Sequence, residues 1–189
     1  MGELVRTLRQ ENAVKDITEV EQHLGGAGRK KLITIQIVRC QDLVVKYGQV
    51  ATVSPFFYYQ FYDKDEKYSP TMVGRSPVFD DMQSYEVMLD AKLVNYLQRE
   101  SLEVIFFDDN APIAGLDRGA QASGEQSDDM IGTASIPLAD LLRGASIQDR
   151  FPLRKTTRQA TESLGTVEVK ISIMDLDQLS SGTSISKVA

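Results

Sequence analysis

Two periodicities divide the chain. Near the N-terminus, Val14, Ile17, Val20 and Leu24 recur at spacings of three and four, and Leu4 with Leu8 fits the same period. That rhythm predicts a helix over residues 1–24 with one apolar stripe. Glu11, Asp16, Glu19 and Glu21 share its polar face with Arg6, Arg9 and Lys15. Two readings of this helix stand side by side: a cap packed on the following domain, or the last turns of a coiled coil. A Gly-rich linker, 25–31, follows. From there the period falls to two. "KLITIQIV" places Ile33, Ile35 and Ile37 on one face, and "SLEVIFF" does the same with Leu102, Val104 and Phe106. In "GTVEVKISIM" the inward set is Val167, Val169, Ile171 and Ile173, with Glu168, Lys170 and Ser172 opposite. Such alternation marks half-buried strands.

Turn formers such as "KDEK", "DDNAP", "RGA" and "SLG" separate the strands, and all six prolines fall near strand ends or in loops. One short helix is predicted at "DAKLVNYL", where Leu93, Val94 and Leu97 cluster on one side. The pattern predicts an antiparallel β-sandwich over residues 32–176, followed by a Ser-rich tail, 177–189.

Composition narrows the function. The chain has 189 residues, a net charge of -6 and a pI near 4.9. That balance argues against nucleic acid as a partner, which calls for a basic footprint. The single cysteine, Cys40, allows no internal disulfide and reads as a small core residue. His23 is the only histidine and falls in the predicted N-terminal helix, so no Ser-His-Asp set is expected. No zinc-type Cys/His cluster and no phosphate-cradling loop is present, no cofactor is expected, and the chain is read as a non-enzyme.

Five segments in order carry a resemblance. "KLITIQIVRCQDL", "VSPFFYYQF", "SPVFDDMQSYEV", "LEVIFFDD" and "DDMIGTASIPLADLL" are similar to successive strands of a C2 domain, with Phe79 where that pattern has Trp. More narrowly, "FFYYQFYDKDEKYSPTMVGRSPVFDDMQSYEV" followed by "LVNYLQRESLEVIFFDD" resembles the C2 domains of the RPGR-interacting protein and protein fantom family. The resemblance implies an all-β, C2-type antiparallel eight-stranded sandwich with an N-terminal helical extension. It also implies a scaffold on the cytoplasmic side of the cilium base, at the basal body and transition zone. Implied partners are other ciliary proteins, among them nephrocystins and the retinitis pigmentosa GTPase regulator, with coiled-coil self-association as a further expectation.

In calcium-binding C2 domains, aspartates from two loops converge on the ions, which need about six to eight oxygens. Here the third loop offers Asp108 and Asp129 as weak candidates, with Asn110 where the pattern has Asp. The first loop has Ser54 where Asp stands before the Pro-aromatic pair, and Lys46 adds positive charge. No metal site is therefore expected, and binding is expected to be calcium-independent. The strand Phe56–Tyr62 holds six aromatics in seven positions. Phe57, Tyr59 and Phe61 are assigned to the core, leaving Phe56, Tyr58 and Tyr62, with Phe107, as a candidate partner-binding face. An alternative is a peripheral membrane module binding acidic phospholipid through Arg150, Arg154, Lys155 and Arg158, with weak membrane contact.

Overall fold

The computed structural model describes residues 28–44, 52–110, 130–156 and 161–176. The predicted helix 1–24 and tail 177–189 lie outside the described residues. Eight strands follow one another: β1 (Lys30–Gln41), β2 (Pro55–Tyr59), β3 (Lys67–Tyr68), β4 (Val78–Met88), β5 (Ser101–Asp108), β6 (Met130–Pro137), β7 (Ile147–Thr156) and β8 (Thr161–Asp175). One helix, α1 (Ala91–Arg99), joins β4 to β5, and a 3-10 turn (Ala139–Arg143) follows β6. β1 begins at Lys30, inside the range 25–31 read as a linker, and pairs Lys30 with Met88.

The strands form one antiparallel ladder in the order β3-β2-β5-β6-β7-β8-β1-β4. It bends at the β6–β7 junction, where the only Cα partners are Thr133 and Arg154. Gly132 sits at this bend, and a Cβ there would stand 3.2 Å from the Arg154 carbonyl oxygen. The bend lays β3-β2-β5-β6 over β7-β8-β1-β4. Aromatic contacts record the closure between strands that share no hydrogen bonds. Phe79 of β4 lies 5.1 Å from Phe57 of β2 and 6.0 Å from Phe106 of β5, centroid to centroid. At the open side, Lys67 Nζ of β3 meets Asp81 Oδ2 of β4 at 2.9 Å.

The core is what the period of two requires. Ile33, Ile35 and Ile37 of β1 face Ile173, Ile171 and Val169 of β8 in register, and all but the partly buried Ile173 are essentially inaccessible. Strict alternation from Ile37 would then send Arg39 inward. A bulge between Ile37 and Arg39 shifts the register instead. Cys40 enters the core opposite Val167, and Arg39 turns outward to pair with Glu168 at 2.9 Å. Helix α1 starts at Asp90, whose side chain accepts the Leu93 N–H, and buries Leu93, Val94 and Leu97 as the sequence pattern predicts. The expected turn "SLG" is a correction: β8 runs unbroken through Ser163, Leu164 and Gly165. Gly165 adopts φ 114° and lets the backbone of Gln41 and Asp42 approach, so the glycine kinks the strand without ending it.

Burial has a consequence at high pH. It pushes the Cys40 thiol far above its ordinary value. The Tyr59 phenol is raised by burial and then by its hydrogen bond with Tyr85. The folded domain therefore keeps protons that the unfolded chain releases. Stability should be level below about pH 8.5 and fall as pH rises through the thiol and phenol ranges, roughly 8.5–10. The thiol alone accounts for about 2 kcal/mol at pH 10. Urea unfolding at pH 7 and pH 10 reads this directly, and equal midpoints would refute it.

Candidate functional site

Two places hold the residues singled out by sequence: the loop end of β2 and β5, and the outer face of the β3-β2-β5-β6 layer.

At the loop end, Asp108 closes β5 and is 2% exposed. Its Oδ1 accepts the Ser54 N–H at 2.8 Å and the Asn110 N–H at 3.1 Å. The Asn110 amide in turn donates to Ser54 Oγ at 2.6 Å and to the Thr52 carbonyl at 2.8 Å. Ser54 and Asn110 stand where the calcium-binding pattern would have aspartate. Here they hydrogen-bond to each other, with Asp108 beneath them tying the two loops together. Asp108 Oδ2 is buried and has no hydrogen-bond partner among the described residues. An aspartate in place of either neighbour would set a second carboxylate beside this buried one, and like charges at that distance repel strongly unless a cation intervenes. Among the described residues no group of three or more His, Cys, Asp or Glu side chains is placed to hold a metal ion. Asp129 and Lys46 lie outside the described residues.

On the outer layer, the register builds two apolar rows. Phe56 of β2 lies opposite Phe107 of β5, and their rings stack at 5.4 Å. Phe107 in turn faces Met130 of β6. The second row runs Tyr68–Tyr58–Ile105–Thr133 across β3, β2, β5 and β6. Tyr58 and Tyr68 rings are 5.1 Å apart, and both hydroxyls donate to Glu66, at 3.4 and 3.0 Å. Burial within the row, and then the Glu66 carboxylate, push the Tyr58 phenol above its ordinary value. Tyr68 is 55% exposed.

Tyr62 stands apart from these rows. β2 ends at Tyr59, and Tyr62 sits beyond it with φ 52°. Its ring packs on Tyr96 of α1 at 5.1 Å, and its N–H donates to the Tyr96 hydroxyl. Alternation read straight through Phe56–Tyr62 could not foresee that turn. Tyr68 and Ile105 complete the face and were missed. Tyr68 lies in a two-residue strand too short to show a period. Ile105 fell on the polar side of an apolar run.

Three of the four cations of the phospholipid reading, Arg150, Arg154 and Lys155, lie on β7. Lys155 is part-buried and donates to the Met130 carbonyl at 2.6 Å. Arg150 leans toward Glu168 at 3.8 Å, a carboxylate already held by Arg39. Arg154 is exposed at the β6–β7 bend, four residues along β7 from Arg150. Arg158 lies outside the described residues. Lys31, inside the range read as a linker, is buried and bonds Asp175 at 2.7 Å.

Comparison with known proteins agrees with this architecture. Residues 27–106 match the family model described as the first C2 domain of RPGR-interacting protein 1. X-linked retinitis pigmentosa GTPase regulator-interacting protein 1 of Bos taurus is 29% identical over 142 residues, 74% of this chain and 10% of that protein. The Mus musculus protein of the same name is 30% identical over 143 residues, 74% of this chain and 9% of its own length. The chain thus spans about a tenth of these relatives. Among solved structures, CC2D1B superposes with a TM-score of 0.58 at 18% identity, covering 79% of this chain and 58% of that one. A C2 domain of plant extended synaptotagmin 1 gives 0.52 at 16%, covering 79% and 95%. These structural likenesses establish the fold: an all-β, antiparallel eight-stranded C2 domain. The resemblance to the RPGR-interacting proteins, first seen in the aromatic strand and the segment around Phe79, holds in both sequence comparisons.

Proposed function

We propose that this domain, similar to the first C2 domain of RPGR-interacting protein 1, is a non-catalytic protein-interaction module of a scaffold at the cilium base. It works without calcium. The observation that carries the reading is the outer face of the β3-β2-β5-β6 layer, where Phe56, Phe107, Tyr58, Tyr68 and Ile105 form an apolar surface with polar handles. Tyrosine and phenylalanine at the centre of a patch supply most of an interface's affinity once water is excluded. The two loops reinforce it, because Ser54 and Asn110 hydrogen-bond to each other and Asp108 is spent on tying the loops together. The relatives' name states an interaction with the retinitis pigmentosa GTPase regulator, so that protein is the first partner to test.

The test is calorimetric binding of that regulator, in chelator and in calcium. Phe56→Ser combined with Phe107→Ser should weaken binding at least tenfold with little change in unfolding midpoint, and affinity should be equal in both buffers. Binding that ignores both substitutions, or that requires calcium, contradicts the proposal. The phospholipid alternative is less supported, since among the described residues Lys155 bonds within the domain and Arg150 leans toward Glu168.

A further inference from the structure

The two ends of the ladder are finished differently. At one end β3 is only two residues long. The chain beyond it keeps to the same edge: the Ser69, Met72 and Gly74 N–H groups donate to the Phe57, Pro55 and Val53 carbonyls. At the other end stands β4, 11 residues with no proline, lysine or arginine. Short length, proline and lysine are common means of blunting an edge, and β4 has none of them. Hydrogen-bond parity shows which of its backbone groups are left over. The Leu89 N–H donates to the Arg29 carbonyl, and that pair continues the register of Lys30 with Met88. Alternate pairs along the strand, Lys31–Val87, Ile33–Tyr85 and Ile35–Gln83, are then the hydrogen-bonded ones. Met82, Ser84, Glu86 and Met88 therefore turn their N–H and C=O groups away from β1. The Ser84 carbonyl accepts from the side-chain amide of its own neighbour, Gln83, at 3.3 Å. Among the described residues no strand and no other backbone group reaches Met82–Met88 from this side.

The same four residues face outward with their side chains. Met82 is 64% exposed and Met88 56%, and exposed Ser84 and Glu86 lie between them. The strand carries Asp80, Asp81 and Glu86 against no cation. Lys67 holds Asp81 and Gln36 donates to Asp80, whereas Glu86 is in no ion pair among the described residues. Lys30 stands opposite Met88 on the β1 side, so the positive charge there is already supplied. Pairing of two copies along this edge would bring the same three carboxylates together, in chains of net charge -6, and is opposed by repulsion. We infer that the free edge of β4 takes up an extended, basic segment of a partner protein as an added strand. Antiparallel addition sets an apolar residue against Met88, a lysine or arginine against Glu86, a small polar residue against Ser84 and an apolar residue against Met82. The segment thus reads apolar-x-cation-x-polar-x-apolar. The inference does not depend on the aromatic partner face, which is on the other layer.

The probe is the end-blocked peptide Gly-Val-Thr-Lys-Thr-Thr-Thr-Val-Gly, added to the whole chain and followed by amide exchange. In the free protein the Gln83, Tyr85 and Val87 amides should exchange slowly, and those of Met82, Ser84, Glu86 and Met88 fast. Peptide should slow the second set at least tenfold, with saturation below about 1 mM. Ser84→Pro deletes an outward N–H and leaves the bonds to β1 in place, so it should weaken binding at least tenfold while Tyr85 and Val87 stay protected. Glu86→Lys makes no demand on the backbone and should weaken binding about fivefold. A peptide with Glu in place of Lys should bind that variant better than the original peptide does. Slow exchange of the outward set before peptide is added means that the edge is already covered, by the chain itself or by a second copy. No slowing on addition of peptide means that no strand is added. Binding that survives both Ser84→Pro and Glu86→Lys, or is lost in Phe56→Ser with Phe107→Ser, places the peptide elsewhere. Each of these results overturns the inference.

Discussion

Phe106→Ala should cost the domain about 3–5 kcal/mol, the range for truncating a fully buried aromatic. Phe106 is wholly inaccessible and lies on β5, between β2 and β6. Its ring meets Phe57 at 5.7 Å within its own layer and Phe79 at 6.0 Å across the sandwich. Removing it opens a cavity where both layers join, and the neighbouring rings cannot collapse into it without leaving their own strands. Against a typical stability of about 5–15 kcal/mol, that loss leaves a marginal fold. Phe107→Ala is the control. It sits one residue on, facing outward against Phe56, and should cost about 1 kcal/mol or less, the scale of a cross-strand pair. Urea unfolding of the two variants separates them, and similar costs would contradict the assigned faces.

Gly165→Ala should be destabilising by about 2–5 kcal/mol. Two causes add. At φ 114° an L side chain is strained, at about 1–2 kcal/mol. A Cβ would also stand 2.7 Å from the Gln41 carbonyl oxygen and 3.0 Å from that of Asp42. Both are backbone atoms of the β1 exit and cannot rotate away, so overpacking adds about 1–3 kcal/mol. Gly144→Ala separates the causes. Gly144 has φ 71° but open space around its Cβ position, so it should show only the conformational part, about 1–2 kcal/mol. Equal unfolding midpoints for the two variants would show that the close approach of β8 to Gln41 carries no energy.

The core was legible because a period of two needs no tertiary knowledge. Ile33, Ile35, Ile37, Leu102, Val104, Phe106, Val167, Val169 and Ile171 are buried as alternation requires. Helix α1 was legible from the same logic at a period of 3.6. What alternation could not supply was any place where the backbone departs from the ideal: the bulge after Ile37, the turn at Tyr62, and the kinked strand at Gly165. Each depends on a neighbouring strand that the local sequence does not encode. The loop end was half legible. Missing carboxylates at Ser54 and Asn110 could be read from the chain, whereas their mutual hydrogen bond over Asp108 needed coordinates. Spacing along β7 likewise says nothing about the partners of its cations: Lys155 turns to Met130 and Arg150 toward Glu168.

Calcium titration by calorimetry, with the unfolding midpoint followed in parallel, addresses the central claim that the loop end works without an ion. No saturable heat is expected below about 1 mM calcium, the weak limit for sparse carboxylate sets, and the midpoint should stay unchanged. Stoichiometric binding with a Kd below about 0.1 mM, accompanied by a rise in the midpoint, would contradict it.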